Sequence, residues 1–228
     1  TGERTIAISE PVRQHLISVF RVPASRVRLI PHGIDASRFE SPVAPELQQQ
    51  WRDRLHLGRG GPVVGTITRL VPSKGVDQLI RSLPHLRAAV PSARLLIIGD
   101  GEARASLKRL AAERGVGEAV QFAGTLSDAR VPLSLMDVFV FLPAEQEGFG
   151  LSLLEAMASG RPIVAVRRGA GASWVVDQGG IGAVVEPNDE RALASAVAGL
   201  LRDGEAACRA AGAARAFVKD HYSLERMV

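Results

Sequence analysis

Val63-Val64-Gly65-Thr66-Ile67-Thr68 is a run of apolar and β-branched residues that stops at the loop Arg69-Leu70-Val71-Pro72-Ser73-Lys74-Gly75. Behind that loop, Val76–Ala89 carries apolar residues at helical spacing, and Arg94-Leu95-Leu96-Ile97-Ile98 forms a second apolar run. A strand apolar on both faces, a helix and another such strand in quick succession imply a parallel pair joined by a crossover helix. The crossover is right-handed in nearly all such units.

Working outward, the alternation continues. Ala103–Arg114 reads as helix, Val120–Ala123 and Val138–Leu142 as strands, Leu151–Ser159 as helix and Ile163–Val166 as strand. Ala183–Val185 reads as a further strand, followed by helices near Glu190–Leu201 and Glu205–Phe217. The fold class expected is α/β, a doubly wound parallel Rossmann-like sheet with helices on both faces. In such sheets ligands sit beyond the carboxyl ends of the strands, so the loops after strands are where chemistry is sought.

The start of the chain reads differently. Thr5–Ser9 is strand-like, Glu10–Phe20 is helical, and the apolar run Val27–Ile30 ends at Pro31-His32-Gly33. Phe39–Pro45 is polar and Pro-rich, and Glu46–Leu57 is helical up to Gly58. One strand and one helix are too little for a domain. Residues 1–35 are therefore expected to be the tail of a preceding domain plus a linker, and residues 36–228 one domain. The chain does not open on Met and reads as a piece of a longer protein; its end at Val228 is expected to fall short of a last helix crossing back to the other half.

Composition narrows the classes. Of 228 residues 46% are hydrophobic and 23% charged, ordinary for a globular protein able to bury a sizeable core. A single cysteine, Cys208, excludes an internal disulfide, and its Ala-rich helical setting suggests a packed small hydrophobe. No run approaches the roughly 18 apolar residues of a membrane span, and Thr1-Gly2-Glu3-Arg4 shows no signal-peptide pattern. A net charge of +4 carried almost wholly by arginine leaves room for anionic partners. Aromatic residues at 4% with scattered arginines give no stacking platform, so no nucleic-acid partner is expected. A dehydrogenase would need Gly-x-Gly-x-x-Gly after the first main strand, where this chain has Thr68-Arg69-Leu70-Val71-Pro72.

Two loops carry the candidate chemistry. Arg69 and Lys74 lie on a loop feeding a helix N-terminus, where a fork, a point charge and free backbone N–H groups can converge on one anion. The loop after Val138–Leu142 reads Pro143-Ala144-Glu145-Gln146-Glu147-Gly148-Phe149-Gly150-Leu151. Its glycines allow close backbone approach, and the N–H groups of Phe149, Gly150 and Leu151 are placed to meet a phosphate. Glu155 interrupts the apolar face made by Leu151, Leu154 and Ala158; a carboxylate there needs a partner, and two ribose hydroxyls would serve.

These residues resemble the donor-binding signature of GT-B glycosyltransferases, specifically glycosyltransferase family 4 (group 1). The Glu-x7-Glu motif stands as Glu147…Glu155, the basic loop as Arg69 and Lys74-Gly75, and the Gly-x-Gly turn as Gly99-Asp100-Gly101. Val120-Gln121-Phe122-Ala123-Gly124 and the linker pattern Ile30-Pro31-His32-Gly33-Ile34-Asp35 match as well. The resemblance covers nearly the whole chain and implies the C-terminal, donor-binding half of a GT-B fold, with the acceptor half lying outside it. It implies a retaining hexosyltransferase using a UDP-, GDP- or ADP-sugar in bacterial glycan biosynthesis, with a glycan or glycolipid acceptor held through the N-terminal domain. Arg69 and Lys74 would bind and stabilise the leaving diphosphate, and Glu147 would hold hydroxyls of the donor sugar. The main chain around Phe149–Leu151 would add phosphate contacts, Glu155 would hold the ribose, and the main chain of Gln121 and Phe122 would meet the base. Glu147, Arg69 and Lys74 are thus the catalytic candidates. No cofactor or metal is expected, and this piece alone is expected to be inactive. The expected location is the cytoplasm, with peripheral contact at the inner face of the membrane. The family often carries Gly-Gly-x-Pro-Glu where this chain has Gly169-Ala170-Gly171-Ala172-Ser173-Trp174, with Trp174 at the glutamate's place. That departure keeps a non-catalytic nucleotide- or glycan-binding module of the same fold as the alternative.

Overall fold

The structure is a computed structural model and describes residues 3–58, 60–145, 147–168, 175–177 and 180–227. Trp174 and the small-residue run before it lie outside the described residues.

Six parallel strands form the central sheet: β3 (Val63–Ile67), β4 (Arg94–Ile98), β5 (Val120–Gly124), β6 (Val138–Phe141), β7 (Ile163–Val166) and β8 (Gly182–Val185). Their order is β5-β4-β3-β6-β7-β8, the doubly wound order whose direction of winding reverses between β3 and β6. The strands read as continuous apolar runs because both faces are covered. Leu95 and Ile97 pack into one core with Val64, Val138 and Val140, while Leu96 and Ile98 pack into the other with Val63, Phe139 and Phe141. The period of two inherent in a strand is thus preserved, with a different apolar layer on each side.

On the first face lie α3 (Val76–Ala89) and a helix named α7 (Glu190–Arg202); α3 buries Leu79, Ile80, Leu83 and Leu86. α4 (Arg104–Glu113) packs beside them. On the second face lie α6 (Leu151–Ala158), α8 (Gly204–His221), α2 (Pro45–Arg54) and the short α5 (Arg130–Ser134). Asp189 and Asp203 end the loops before α7 and α8 as N-caps, their side chains accepting from Ala192 and Ala206 N–H at 2.8 and 2.9 Å.

Cys208 corrects the sequence reading: it is exposed. The buried stripe of α8 is Ala207, Ala211, Ala214 and Val218, spaced by four, three and four, and Cys208 stands one residue round from it. Leu151 is a second correction. It is 50% exposed, because the buried side of α6 is Leu153, Leu154, Ala156, Met157 and Ala158. Both errors come from assigning a face before the neighbouring elements are placed.

Ahead of the main sheet, β1 (Thr5–Ala7) and β2 (Val27–Leu29) form a separate two-stranded parallel sheet, joined through α1 (Glu10–Ser18). The chain then runs through residues 30–35 to the C-terminal segment. Ile34 N–H donates to Tyr222 O at 2.8 Å and Leu224 N–H to Ile34 O at 3.2 Å, next to the final turn α9 (Leu224–Met227).

Candidate active site

The loop after β3 is fixed by its neighbours. Thr68 N–H donates to Ile98 O at 3.0 Å, Leu70 N–H to Asp100 O at 2.9 Å, and Ala103 N–H to Leu70 O at 2.9 Å. These contacts explain Gly99: it sits at φ +130°, and a Cβ there would lie 1.8 Å from Thr68 O. In this chain the Gly-x-Gly turn buttresses the Arg69 loop. Leu70 is fully buried, which leaves Arg69 displayed at the loop's surface.

Past Arg69 a single 3₁₀ turn, Pro72–Lys74, leads to Gly75 at φ +63° and into α3. Among the described residues no side chain caps α3 there; Gln78 N–H turns back to Gly75 O at 3.1 Å, and the N–H groups of Val76 and Asp77 stay open. Lys74 reaches across to Glu147, the two forming a close ion pair with side chains only 11% and 17% exposed. Glu147 also accepts from Ala144 N–H at 2.9 Å. Two expected site residues on opposite sides of the winding reversal therefore neutralise one another.

Around them lies a cleft of about 1420 Å³ at the carboxyl ends of β3, β6 and β7. Arg69, Lys74, Glu147 and Phe149 line it. Phe149 is held edge-on to His32 at 5.8 Å and tilted against Tyr222 at 5.2 Å, so the linker and the C-terminal segment position it. A smaller hollow of about 440 Å³ shares Arg69, Lys74, Glu147 and Phe149 and adds His32, Leu151 and Ser152. Gly150 starts α6 with no side-chain cap among the described residues, and a Cβ on it would strike the Phe141 ring at 2.5 Å.

Three expected residues stand elsewhere. Gln121 and Phe122 sit within β5, paired with Leu96 and Ile97, and line neither hollow. Lys108 Nζ lies 5.9 Å from the Phe122 ring centroid. Glu155 is one turn along α6 from Leu151, half-buried, with no hydrogen bond to its carboxylate among the described residues. Burial pushes its carboxyl above the ordinary carboxylate range; Arg38 pulls it back and Asp128 adds to the rise.

Sequence reasoning missed Arg167, Arg168 and His32. The two arginines follow β7 and line the large cleft. Arg168 donates to Gln78 Oε1 at 3.2 Å and packs over Gly75, where a Cβ would meet its guanidinium at 2.2 Å. Arg167 is spent on Asp177 and Glu186 at 3.2 and 2.9 Å. The rule that ligands collect beyond strand ends, applied to β7 as it was to β3 and β6, would have found them.

The profile of the group 1 glycosyl transferases matches residues 48–217, most of the chain and all six strands of the central sheet. The chain belongs to this family. A GDP-mannose-dependent alpha-(1-6)-phosphatidylinositol monomannoside mannosyltransferase of Mycolicibacterium smegmatis is 36% identical over 94% of this chain and 57% of its own length. A GDP-mannose-dependent enzyme of Corynebacterium glutamicum, named for the monoacylated form of the same acceptor, is also 36% identical, over 87% of this chain and 53% of its own. This group 1 glycosyltransferase chain thus spans just over half the length of those relatives. Among solved structures, Anabaena HepE in complex with UDP and glucose superimposes with a TM-score of 0.88 over 99% of this chain and 61% of its own, at 24% identity. That likeness establishes the GT-B sheet and its helices.

Proposed function

We propose that this chain is the donor-binding half of a retaining glycosyltransferase that moves a hexosyl group from a nucleoside-diphosphate sugar to a sugar or lipid-linked acceptor. The observation that carries the proposal is the meeting of Arg69, Lys74, Glu147 and Phe149 in one cleft at the winding reversal. Arg69 and the open end of α3 face the diphosphate, and Lys74 turns to it on leaving Glu147. Glu147, once released, accepts hydroxyls of the donor sugar. As the glycosidic bond breaks, charge develops on the leaving diphosphate, and preorganised cations neutralise it there without needing to move with solvent. Glu155 takes the ribose, where two hydroxyls would supply the partners its half-buried carboxylate lacks. The main chain of Gln121 and Phe122 meets the base.

Residues 1–35 belong to the acceptor-side domain and linker in this account, and residues 36–228 to the donor domain. The separateness of the β1–β2 sheet from the main one supports that division. The exposed Ile6, Val19 and Phe20 on this segment support packing against further chain. GDP-mannose is the first donor to try, because both named relatives use it. Among the described residues no helix is long and apolar enough to cross a membrane. A lipid-linked acceptor would place the work at the inner membrane face by peripheral contact. The test is a transfer assay on the full-length protein with GDP-mannose, UDP-glucose and ADP-glucose, resolving the anomer of the product. Transfer with retained configuration supports the reading; inversion, or no turnover of any donor, contradicts it. This chain alone is expected to bind donor without transferring it.

A further inference from the structure

A second hollow, of about 420 Å³, lies at the other end of α6 from the cleft, roughly 12 Å away along an eight-residue helix. α6 ends in a Schellman motif: Gly160 N–H donates to Met157 O at 2.9 Å and Arg161 N–H to Ala156 O at 3.0 Å, with Gly160 at φ +64°. Two arginines take carbonyls at this end. Arg215 Nε donates to Ala158 O at 3.1 Å, and Arg161 donates to Ser159 O at 3.3 Å and to Met136 O at 2.9 Å. The missing Cβ of Gly160 is what admits the Arg215 head, which a methyl group there would meet at 2.4 Å.

Capping explains the Nε contacts and Met136 O takes Arg161 Nη1, which leaves Arg161 Nη2 and both Nη groups of Arg215 without a hydrogen bond among the described residues. Neither Arg161 nor Arg215 has a carboxylate within ion-pair distance among the described residues. The nearby acids are committed: Asp128 to Arg130 at 2.6 Å, Asp137 to Val63 N–H at 2.7 Å, and Glu40 faces Lys219 at 3.6 Å. Burial lowers the affinity of Arg161 for its proton, Asp137 works against that, and the like charge of Arg215 adds to the lowering. Two neighbouring cations keep open N–H groups on this hollow, and its one lining carboxylate among the described residues, Glu40, leans toward Lys219, so an anion with several acceptor oxygens would stabilise the pair most. Phe39, Pro42 and Val43 give the same hollow an apolar wall.

We propose that this hollow is a second binding site, for a phosphate ester, with Arg161 and Arg215 on the phosphate and Phe39, Pro42 and Val43 against the organic part. It is independent of the donor reading, since it shares no residue with the cleft. The phosphate comes from either a soluble ester or a lipid headgroup.

The experiment is calorimetric titration of the Arg69→Ala chain with glycerol 3-phosphate at fixed ionic strength, so that the cleft contributes little. One site per chain is expected. Arg215→Gln, with a thermal melt to register the lost contact to Ala158 O, should weaken it at least about tenfold, as loss of charge-assisted hydrogen bonds does. Arg161→Lys, which keeps the charge and loses the fork, should weaken it several-fold. No binding, binding unmoved by Arg215→Gln, or equal displacement by sulfate would overturn the proposal. Sedimentation with phosphatidylglycerol vesicles then assigns the source. Recruitment that Arg215→Gln abolishes means a lipid headgroup, and no recruitment beside intact glycerol 3-phosphate binding means a soluble ester.

Discussion

The ion pair between Lys74 and Glu147 makes the two halves of the donor site distinguishable by mutation. Both side chains are mostly buried, and Glu147 has one further partner, the Ala144 N–H. Lys74→Ala strands a partly desolvated carboxylate, which costs about 1–3 kcal/mol of stability. For a chain of this length that is a fall in Tm of roughly 2–12 °C. It also removes one charge-assisted contact to the diphosphate, so affinity for a nucleoside diphosphate should drop about 10- to 100-fold. Glu147→Gln behaves oppositely toward the bare diphosphate. Stability falls, but Lys74 is no longer held by a carboxylate, and about 1 kcal/mol of freed interaction would tighten binding roughly fivefold. The gain should vanish for a sugar-bearing donor, whose hydroxyls need the carboxylate. The double variant should be more stable than the sum of the two losses predicts. Titration calorimetry with GDP and GDP-mannose on the three variants, beside thermal melts, reads all of this. If Glu147→Gln weakens GDP as much as Lys74→Ala does, the exchange of partners on donor binding is wrong.

Other outcomes follow from the same geometry. Gly99→Ala should cost about 3 kcal/mol or more in urea unfolding, since its Cβ would sit 1.8 Å from a carbonyl oxygen at a positive φ, whereas Gly199→Ala, in open space on α7, should stabilise by about 0.5–1 kcal/mol. The raised carboxyl of Glu155 means the folded chain holds this proton more tightly than the unfolded one. Its contribution is intact at low pH and is lost as pH rises from the ordinary carboxylate range through the folded value. Glu155→Gln should therefore raise Tm at pH 7 relative to wild type and do little at pH 4. The same variant should weaken GDP, UDP and ADP alike, since ribose is common to all three. Cys208 should react fully with a thiol reagent in the folded state, a buried thiol's slow reaction being the contrary result.

The strands and the doubly wound class were legible because both-face burial writes itself as uninterrupted Val, Ile and Leu, and the loops after β3 and β6 were legible because their charges stand where such runs end. α5 and α9 were not, being a single turn or little more, too short for a 3.6-residue period to declare itself. Leu151 and Cys208 were assigned the wrong side for a related reason: on a short or Ala-rich helix several stripes are equally apolar, and tertiary contacts choose between them. The motifs around Lys74 and Glu147 were visible separately, yet nothing in their spacing of 73 residues says that they touch. The same holds for Arg161 and Arg215, brought together only by the packing of α8 on the end of α6.

The central claim is that the cleft beside Arg69 and Lys74 holds a nucleoside diphosphate. Calorimetric titration of this chain with GDP, UDP and ADP tests it directly, with Arg69→Ala and Lys74→Ala in parallel. The account predicts that one nucleotide binds well above the others and that each substitution weakens it about tenfold or more. Binding unchanged by both substitutions would contradict it.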